Sequence, residues 1–166
     1  MIKQIRAGIL GAGLGSRLNS NAGAKPLATL AGGKSLLENL LWELKKNGVT
    51  EISCALRSEQ FDERKKASLP AHPGLQYLFK DTESSLHTLA ALVETMAPEK
   101  GPALFMMADT IMLPEDFSRF LRFCRELPEN ENAVLVTGFV DDEKPLWVNL
   151  NQDQTVARFG GDHGQI

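Results

Sequence analysis

Short apolar runs alternate with amphipathic stretches along most of the chain. The apolar runs predict buried strands, whereas stretches with apolar residues on one helical face predict helices. The predicted strands are residues 5–10, 51–56, 75–79, 103–107, 133–137, 146–150 and 156–159. The predicted helices lie between Ser35 and Gly48 and over residues 60–68, 84–96 and 114–127. This alternation predicts an α/β protein, a three-layer Rossmann-like sandwich with a mainly parallel mixed sheet.

Two segments carry more specific predictions. Ser35 and Glu38 have the spacing of a capping box, in which each side chain accepts a hydrogen bond from the other residue's backbone N–H. Residues 103–107 are apolar at every position, which is typical of a strand covered on both faces, so we expect this strand at the centre of the sheet. In such sheets, ligand sites form beyond the carboxyl ends of strands. A site is therefore expected in the loops after Leu10, Leu56, Phe79 and Met107.

Composition and charge narrow the class of protein without changing this prediction. The chain has 166 residues, of which 43% are hydrophobic and 23% are charged, and its net charge is −3. About 100–200 residues are typical of one domain, and this charge balance predicts no nucleic-acid partner. The longest apolar run is far shorter than the ~20 residues of a membrane helix, so no membrane partner is expected. Cys54 and Cys124 form no CxxC pair, which favours buried, reduced thiols and a cytoplasmic protein.

The most informative segment runs from Gly11 to Arg17 and has the sequence Gly-Ala-Gly-Leu-Gly-Ser-Arg. Glycines allow backbone N–H groups to approach an anion, and the start of a following helix adds its positive end. An arginine at the end of the segment suits forked contacts with phosphate oxygens. The segment therefore indicates a phosphate site, and the structural alternative is a glycine turn that serves only the packing of strand and helix.

Two other nucleotide-binding signatures compete for this part of the chain. The dinucleotide fingerprint requires a glycine where Ser16 stands, and the second strand ends in Arg57 rather than an acidic residue. Because Arg57 would suit a 2′-phosphate, an NAD(P)-dependent oxidoreductase is kept as an alternative. The segment Gly33-Lys34-Ser35 resembles the end of a P-loop, but Ala28 replaces its first glycine and no clean strand precedes it.

A third interpretation uses more of the sequence. The glycine segment is followed by Ala24-Lys25-Pro26-Leu27 and then by Gly32-Gly33-Lys34-Ser35-Leu36. This order closely resembles the opening signature of the nucleotidyltransferases that make sugar nucleotides and related activated alcohols, the MobA-like NTP-transferase superfamily. Residues 82–86 and 104–110 resemble its base-side segment and its strand ending in a metal-binding aspartate. The resemblance extends to residues 156–159 and implies the nucleotide-diphospho-sugar transferase fold.

The resemblance also implies substrates and residue roles. The substrates would be a nucleoside triphosphate and a sugar 1-phosphate or phosphorylated alcohol, with Mg²⁺ as cofactor. Arg17 would hold the triphosphate, Lys25 would reach the phosphates at the reacting centre, and Asp109 would bind the metal. Catalysis of this kind is mostly positioning and charge neutralisation, so no acid–base residue is required. The residues implied to contact the nucleotide are Leu10, Gly11, Ala12, Gly13, Leu14, Gly15, Ser16, Lys80, Ser84 and Ser85.

Each of these roles has a structural alternative. Ser84 and Ser85 are residue types that commonly cap the start of a helix. Lys25 would otherwise be a solvated loop residue, and Asp109 would cap the turn before the next helix. For the chain as a whole, a nucleotide-binding or regulatory module without catalysis is the alternative function.

Departures from the family pattern leave the substrates open. Lys80 stands near the place where some relatives have a base-reading glutamine, and Ser85 stands where others have a glycine. In this family the acceptor-binding half and a second metal-binding aspartate follow the strand matched by residues 156–159, whereas this sequence ends at Ile166. We therefore expect one nucleotide-binding domain, residues 1–166, that lacks the acceptor half. The sequence predicts neither the base nor the oligomeric state.

Overall fold

A computed structural model of the protein describes residues 3–13, 24–96, 101–138 and 146–160. The strands are β1 (Arg6–Gly11), β2 (Ile52–Leu56), β3 (Leu75–Phe79), β4 (Ala103–Met107), β5 (Val148–Leu150) and β6 (Val156–Phe159). The α-helices are α1 (Leu36–Lys46), α2 (Glu63–Ala67), α3 (Ser85–Met96) and α4 (Pro114–Glu126). Short 3-10 helices cover Lys25–Leu27 and Ser58–Gln60.

The first four strands form one sheet in the order β3-β2-β1-β4. Every pairing within it is parallel, and the antiparallel pairing occurs between β5 and β6 in a separate sheet. The register places Leu10 of β1 beside Met107 of β4, and Leu56 of β2 beside Phe79 of β3. The carboxyl ends of all four strands therefore meet at one edge of the sheet, which we call the carboxyl edge.

Helices cover both faces of this sheet, because successive residues of a strand point to opposite faces. Ile9 of β1 belongs to a core that includes the buried leucines of α1 and Phe117 of α4. Leu10, the next residue, belongs to a smaller core with Leu92 of α3. The predicted three-layer α/β sandwich is confirmed.

The close packing of α3 against the sheet depends on Gly8 in β1. A Cβ atom at this position would lie 2.6 Å from Cδ1 of Phe105 and 3.0 Å from Sδ of Met96. Such contacts are shorter than real Cβ atoms make, so a larger residue would displace Phe105 or α3. Gly8 therefore sets how closely the second helical layer approaches the sheet.

The capping box predicted at the start of α1 is confirmed. The N–H of Glu38 donates to Oγ of Ser35 at 3.2 Å, and the N–H of Ser35 donates to the carboxylate of Glu38 at 2.7 Å. These bonds satisfy backbone donors that the first turn of a helix leaves without partners. The hydrogen bond from the backbone of Ser35 lowers the pKa of Glu38, because it stabilises the ionised carboxylate.

Two predictions about strands are wrong. Residues 133–137 are described but form no strand, and Val134, Leu135 and Val136 in this segment are exposed. The apolar pattern of β4 predicts a place at the centre of the sheet, but among the described residues β4 lies at an edge, beside β1 alone. Only Met106 is buried within this strand, whereas Ala103 and Met107 are exposed, as suits a strand at the edge. An apolar run therefore does not report how many strands pair with it.

The chain divides into two compact units, residues 1–131 and 132–166. The first unit contains the parallel sheet and all four helices, and the second contains the β5–β6 pair. The predicted turn between β5 and β6 is confirmed, since the N–H of Asn151 donates to the carbonyl of Thr155 at 2.8 Å. Within the parts of the chain described above, no helix is long and apolar enough to cross a membrane.

Candidate functional site

Lys25 and Asp109 are far apart in the sequence but meet at the carboxyl edge of the sheet. The Nζ atom of Lys25 forms an ion pair with Oδ2 of Asp109. Their side chains are 38% and 33% exposed, so the paired charges are accessible to a ligand in solution. The structure thus joins the residue predicted to reach phosphate with the residue predicted to bind metal.

The backbone around Lys25 is held in place by its neighbours. Ala24 and Pro26 are buried on either side of it. The N–H of Leu27 donates to the carbonyl of Ala24 at 2.8 Å, and the N–H of Ala28 donates to the carbonyl of Lys25 at 3.0 Å. Pro26 suits the first turn of a helix, because its φ angle is restricted and it lacks the N–H that would have no partner there. The segment therefore fixes the direction from which Lys25 approaches Asp109.

Asp109 is positioned by a turn that continues β4. The N–H of Ala108 donates to the carbonyl of Leu10 at 2.9 Å, which extends the pairing of β4 with β1. The N–H of Thr110 then donates to the carbonyl of Met107 at 3.1 Å and closes the turn. Ala108 is 5% exposed and belongs to the core, and Asp109 follows it directly with a side chain that is 33% exposed.

The described part of the glycine segment, residues 11–13, contains one closely packed glycine and one exposed glycine. A Cβ atom at Gly11 would lie 2.9 Å from the carbonyl oxygen of Ala55, so a glycine is needed here for strand packing. Ala12 is buried, and the side chain of Leu10 lies in the core beside α3. Gly13 is exposed, and a Cβ atom there would have no described residue within 4 Å. The predicted site residues Leu14, Gly15, Ser16 and Arg17 lie outside the described residues.

The predicted base-side residues lie where β3 ends and α3 begins. The N–H of Lys80 donates to the carbonyl of Leu56 at 2.9 Å, which extends the β2–β3 pairing, and the Lys80 side chain is exposed. Oγ of Ser84 accepts a hydrogen bond from the N–H of His87 at 3.4 Å and lies 2.9 Å from its Nδ1. Ser84 therefore caps α3, and Ser85 is the exposed first residue of that helix.

A polar network at this end of the sheet was not predicted from the sequence. The Nη1 atom of Arg57 donates to the carbonyl of Thr82 at 3.3 Å, and its Nη2 atom donates to the carboxylate of Glu59 at 3.0 Å. The hydroxyls of Thr82 and Thr88 lie 2.6 Å apart. Arg57 is noticeable in the sequence as a charge that ends an apolar strand, but its partners are brought to it only by the fold.

The same contacts weaken the two competing signatures. The guanidinium of Arg57 is engaged by Glu59 and Thr82, whereas the dinucleotide interpretation needs it for a 2′-phosphate. The ammonium of Lys34 lies 4.6 Å from the ring centre of Trp42, and Ser35 caps α1. Both residues of the P-loop-like segment therefore have structural roles at the start of α1.

The carboxylate of Asp109 suits a metal ion that prefers oxygen and takes few ligands from the protein. Within the described ranges, no group of three or more His, Cys, Asp or Glu side chains is arranged to hold a metal. A single accessible carboxylate fits Mg²⁺, which prefers oxygen ligands and retains several waters beside substrate phosphates. The same donor set does not fit a structural zinc ion, which requires four protein ligands.

The two cysteines have no catalytic environment. Both are free, Cys54 is buried and Cys124 is half-buried. Burial raises the pKa of the Cys54 thiol to about 12, so it is a neutral core residue at physiological pH. The expectation of reduced thiols therefore holds, although only Cys54 is fully buried.

A family model described as the MobA-like NTP transferase domain matches residues 7–165. No curated protein matches the chain. Among solved structures, Rv0371c from Mycobacterium tuberculosis H37Rv is 18% identical, with a TM-score of 0.59 over 74% of this chain and 61% of that chain. The 4-diphosphocytidyl-2C-methyl-D-erythritol synthase of Anaerococcus prevotii DSM 20548 is 20% identical, with a TM-score of 0.59 over 97% of this chain and 66% of that chain. At these identities the likeness shows the fold, and this chain spans less than two thirds of the length of either structure.

Proposed function

Because the chain belongs to the MobA-like NTP transferase domain family, we propose that it transfers a nucleoside monophosphate from a nucleoside triphosphate to a phosphorylated acceptor, with release of pyrophosphate. The family assignment supports nucleotidyl transfer in general. The observation that carries the proposal for this chain is the ion pair of Lys25 and Asp109 at the carboxyl edge. We take the acceptor to be a sugar 1-phosphate or a phosphorylated alcohol, as the sequence signature implies.

The ion pair provides a positive charge that would attract a triphosphate and a negative charge that would attract a metal ion. In the protein without substrate, the ammonium of Lys25 and the carboxylate of Asp109 neutralise each other. When the triphosphate binds, Lys25 would contact oxygens around the reacting phosphorus atom, while Asp109 would hold a divalent cation, which we take to be Mg²⁺. Since the reaction brings two anions together, neutralisation by fixed charges is the main requirement for catalysis.

The remaining roles fall on the segment from Gly11 to Arg17, as the sequence signature implies. Arg17 would hold the triphosphate and stabilise the departing pyrophosphate, and the backbone of Gly13 would approach the nucleotide without steric hindrance. When bound, Mg²⁺ would neutralise charge on the phosphate oxygens. A phosphate acceptor is already ionised at neutral pH, so the protein has no proton to remove from it.

Two observations guide the choice of substrates. The pair Ser85-Leu86 is similar to the branches of the family that make CDP-alcohols, whereas the rest of the chain is equally similar to the sugar-1-phosphate uridylyl and guanylyl branches. One of the similar structures is named for a diphosphocytidyl derivative of an alcohol. We therefore propose CTP with a phosphorylated alcohol as the first pair to test, followed by UTP or GTP with a sugar 1-phosphate.

The test measures thermal unfolding with ATP, GTP, CTP, UTP or dTTP and Mg²⁺, and then pyrophosphate release with a panel of phosphorylated acceptors. We expect at least one triphosphate to raise the melting temperature and one acceptor to support release. Lys25→Ala and Asp109→Asn should each lower release by about 100-fold or more, because each removes a fixed charge from the reacting centre. Lys66→Ala and Glu63→Gln are matched controls, since they break an exposed Lys–Glu pair on α2.

Three outcomes would count against the proposal in different ways. If no triphosphate stabilises the protein, nucleotide transfer is the wrong function. Binding without release, with every acceptor, would instead favour the non-catalytic nucleotide-binding module. Variants of Lys25 and Asp109 that react like the controls would show that the site is wrongly placed.

We also propose a cytoplasmic location. The two cysteines are free thiols, which is usual for proteins of a reducing compartment. Nucleoside triphosphates, the proposed substrates, are available in the same compartment.

A further inference from the structure

The segment from Lys80 to Ser84, which we call the 80–84 loop, is held to the sheet by Arg57. This arginine directly follows β2, and its side chain is 13% exposed. Its Nη1 atom donates to the carbonyl of Thr82 at 3.3 Å, while Nε and Nη2 donate to Oε2 of Glu59 at 3.2 and 3.0 Å. A planar guanidinium can make these bonds together, whereas a lysine ammonium cannot reproduce the same fork.

Further contacts tie this network to the loop. The N–H of Glu59 donates to Oδ1 of Asp81 at 3.3 Å, and the same oxygen lies 3.9 Å from Nε of Arg57. Glu59 and Asp81 therefore place two negative charges around one largely buried positive charge. The network joins the residues that follow β2 to those that follow β3.

Thr88 of α3 holds the loop from its other side. The Thr88 side chain is 1% exposed, and its hydroxyl donates to the carbonyl of Ser84 at 3.2 Å. The hydroxyls of Thr82 and Thr88 lie 2.6 Å apart, a hydrogen bond in which either hydroxyl can donate. The loop is thus fastened by a chain of hydrogen bonds from Thr82 through Thr88 to Ser84.

We infer that Arg57 and Thr88 are positioning residues that set the shape in which the 80–84 loop selects the nucleobase. The inference rests on the proposed function, in which this loop borders the nucleotide. The carbonyls of Thr82 and Ser84 are both occupied by protein donors. Lys80 and Ser85 are exposed at the two ends of this loop. A fixed backbone would hold them in one arrangement toward a base, and selection between bases depends on fixed donors and acceptors.

Arg57 and Thr88 do more than fill space in the core. The Arg57 side chain bonds to Glu59 and Thr82 and lies beside Asp81, and all three residues are at the carboxyl edge. A valine has nearly the shape of threonine, so the space at Thr88 can be filled without a hydroxyl. The N–H of Thr88 also donates to the carbonyl of Ser84, at 3.1 Å. The distinct contribution of the Thr88 hydroxyl is therefore its contact with Thr82.

The test compares Thr88→Val and Arg57→Lys with the parent protein. Dissociation constants are measured for ATP, GTP, CTP, UTP and dTTP with Mg²⁺, and for inorganic triphosphate as a ligand without a base. We expect the ratio between the weakest and the tightest nucleotide to fall about threefold to tenfold, as expected for a lost hydrogen bond. Affinity for inorganic triphosphate should stay unchanged, and Thr88→Ser should restore the ratio because it keeps the hydroxyl.

Hydrogen exchange supplies a second readout that does not depend on a ligand. The amides of the 80–84 loop should exchange at least about tenfold faster in Thr88→Val and Arg57→Lys, because the loop opens more often. Exchange in β1, which lies in the middle of the sheet, should be unaffected.

Each variant has a matched control in the same fold. Thr95 lies near the opposite end of α3 from the loop, and its hydroxyl donates to the carbonyl of Ala91 at 2.8 Å, four residues earlier, as the hydroxyl of Thr88 does to Ser84. Thr95→Val should therefore leave the nucleotide ratio unchanged. Arg119→Lys is the control for Arg57→Lys, because Arg119 is an exposed arginine paired with Asp116 on α4.

The outcomes separate this inference from the proposed function. If the parent binds a nucleotide but neither variant changes the ratio, the inference is wrong and the proposed function stands. A parallel loss of affinity for inorganic triphosphate and for every nucleotide would also overturn it, because that pattern indicates general destabilisation. If the parent binds none of the nucleotides, the proposed function fails and the inference fails with it.

Discussion

The charged residues at the carboxyl edge differ in their exposure and in their partners. Lys25 and Asp109 are accessible and pair with each other, so a ligand can exchange places with either partner. Arg57 is largely buried and holds a backbone carbonyl and a carboxylate at once. This difference favours the first pair as the one that meets the substrate and Arg57 as the residue that maintains the loop beside it.

Cys54 is the residue for which pH dependence is most clearly predicted. Burial raises the pKa of its thiol to about 12, and burial also raises the pKa of Tyr77, its partner in the β2–β3 register. In the unfolded chain a thiol ionises near pH ~8.5. The neutral thiol therefore contributes fully below that pH, and its contribution is lost as the pH rises toward about 12.

We expect the free energy of unfolding to fall through this alkaline window and to fall less steeply in Cys54→Ala. One thiol accounts for a slope of up to about 1.4 kcal/mol per pH unit. Urea unfolding, followed by circular dichroism at several alkaline pH values, measures how the free energy of unfolding changes with pH. A cavity left by the substitution lowers that free energy equally at each pH, so it does not change the slope. Partial burial also raises the pKa of the Cys124 thiol, so Cys124→Ala is the comparison and should change the slope less than removal of the fully buried Cys54. Equal slopes for the parent and Cys54→Ala would contradict the prediction.

Among the helices, α1 has the terminus that is most predictable from sequence. Ser35→Ala removes the acceptor for the N–H of Glu38, and we expect a loss of about 1 kcal/mol in the free energy of unfolding. The pKa of Glu38 is lowered in the folded protein, so the contribution of its charge is present above the unfolded pKa of about 4.3 and is lost as the pH falls.

Urea unfolding of Ser35→Ala and Glu38→Gln at neutral and acidic pH tests both parts of this prediction. The difference between the parent and Glu38→Gln should shrink in acid, whereas the Ser35→Ala difference should persist in part because backbone N–H groups do not titrate. A Ser35→Ala protein as stable as the parent would contradict the role of the capping box.

The strands show where pattern-based prediction fails at the scale of an element. Residues 133–137 have the composition of a strand, but backbone hydrogen bonds to a neighbour make a strand and composition does not supply them. For β4, the apolar pattern predicts covered faces and a central position, but Ala103 and Met107 are exposed and the strand pairs with β1 alone among the described residues. Both errors concern pairing, which depends on residues distant in sequence.

At the scale of the whole molecule, the ion pair and the parallel sheet belong to residues 1–131. We expect a chain that ends at Glu131 to retain helical and strand structure and to keep binding the triphosphate that the parent binds. Mass action then raises its melting temperature with ligand concentration, as for the parent. Circular dichroism and thermal unfolding with and without the triphosphate make this comparison.

The control for this shortened chain is the parent protein under the same conditions. The quantity compared is the rise in melting temperature that the triphosphate causes in each protein. Loss of that shift in a folded 1–131 chain would show that residues 132–166 take part in nucleotide binding.

The sequence alone was sufficient for the periodic features of this protein. The spacing of apolar residues predicted the helices and the four strands of the parallel sheet, and the pair Ser35 and Glu38 predicted the start of α1. It also predicted that functional residues would follow the strands, because parallel strands end at one edge. These features depend on neighbours a few residues away, which a single sequence displays.

Only the tertiary structure decided which distant side chains meet. It paired Lys25 with Asp109, joined Arg57 to Thr82, and connected Thr82 to Thr88 through hydroxyl groups. It also placed β4 at the edge of the described sheet. Such contacts depend on sheet order and on the packing of α3 against the sheet, and neither is encoded in local spacing.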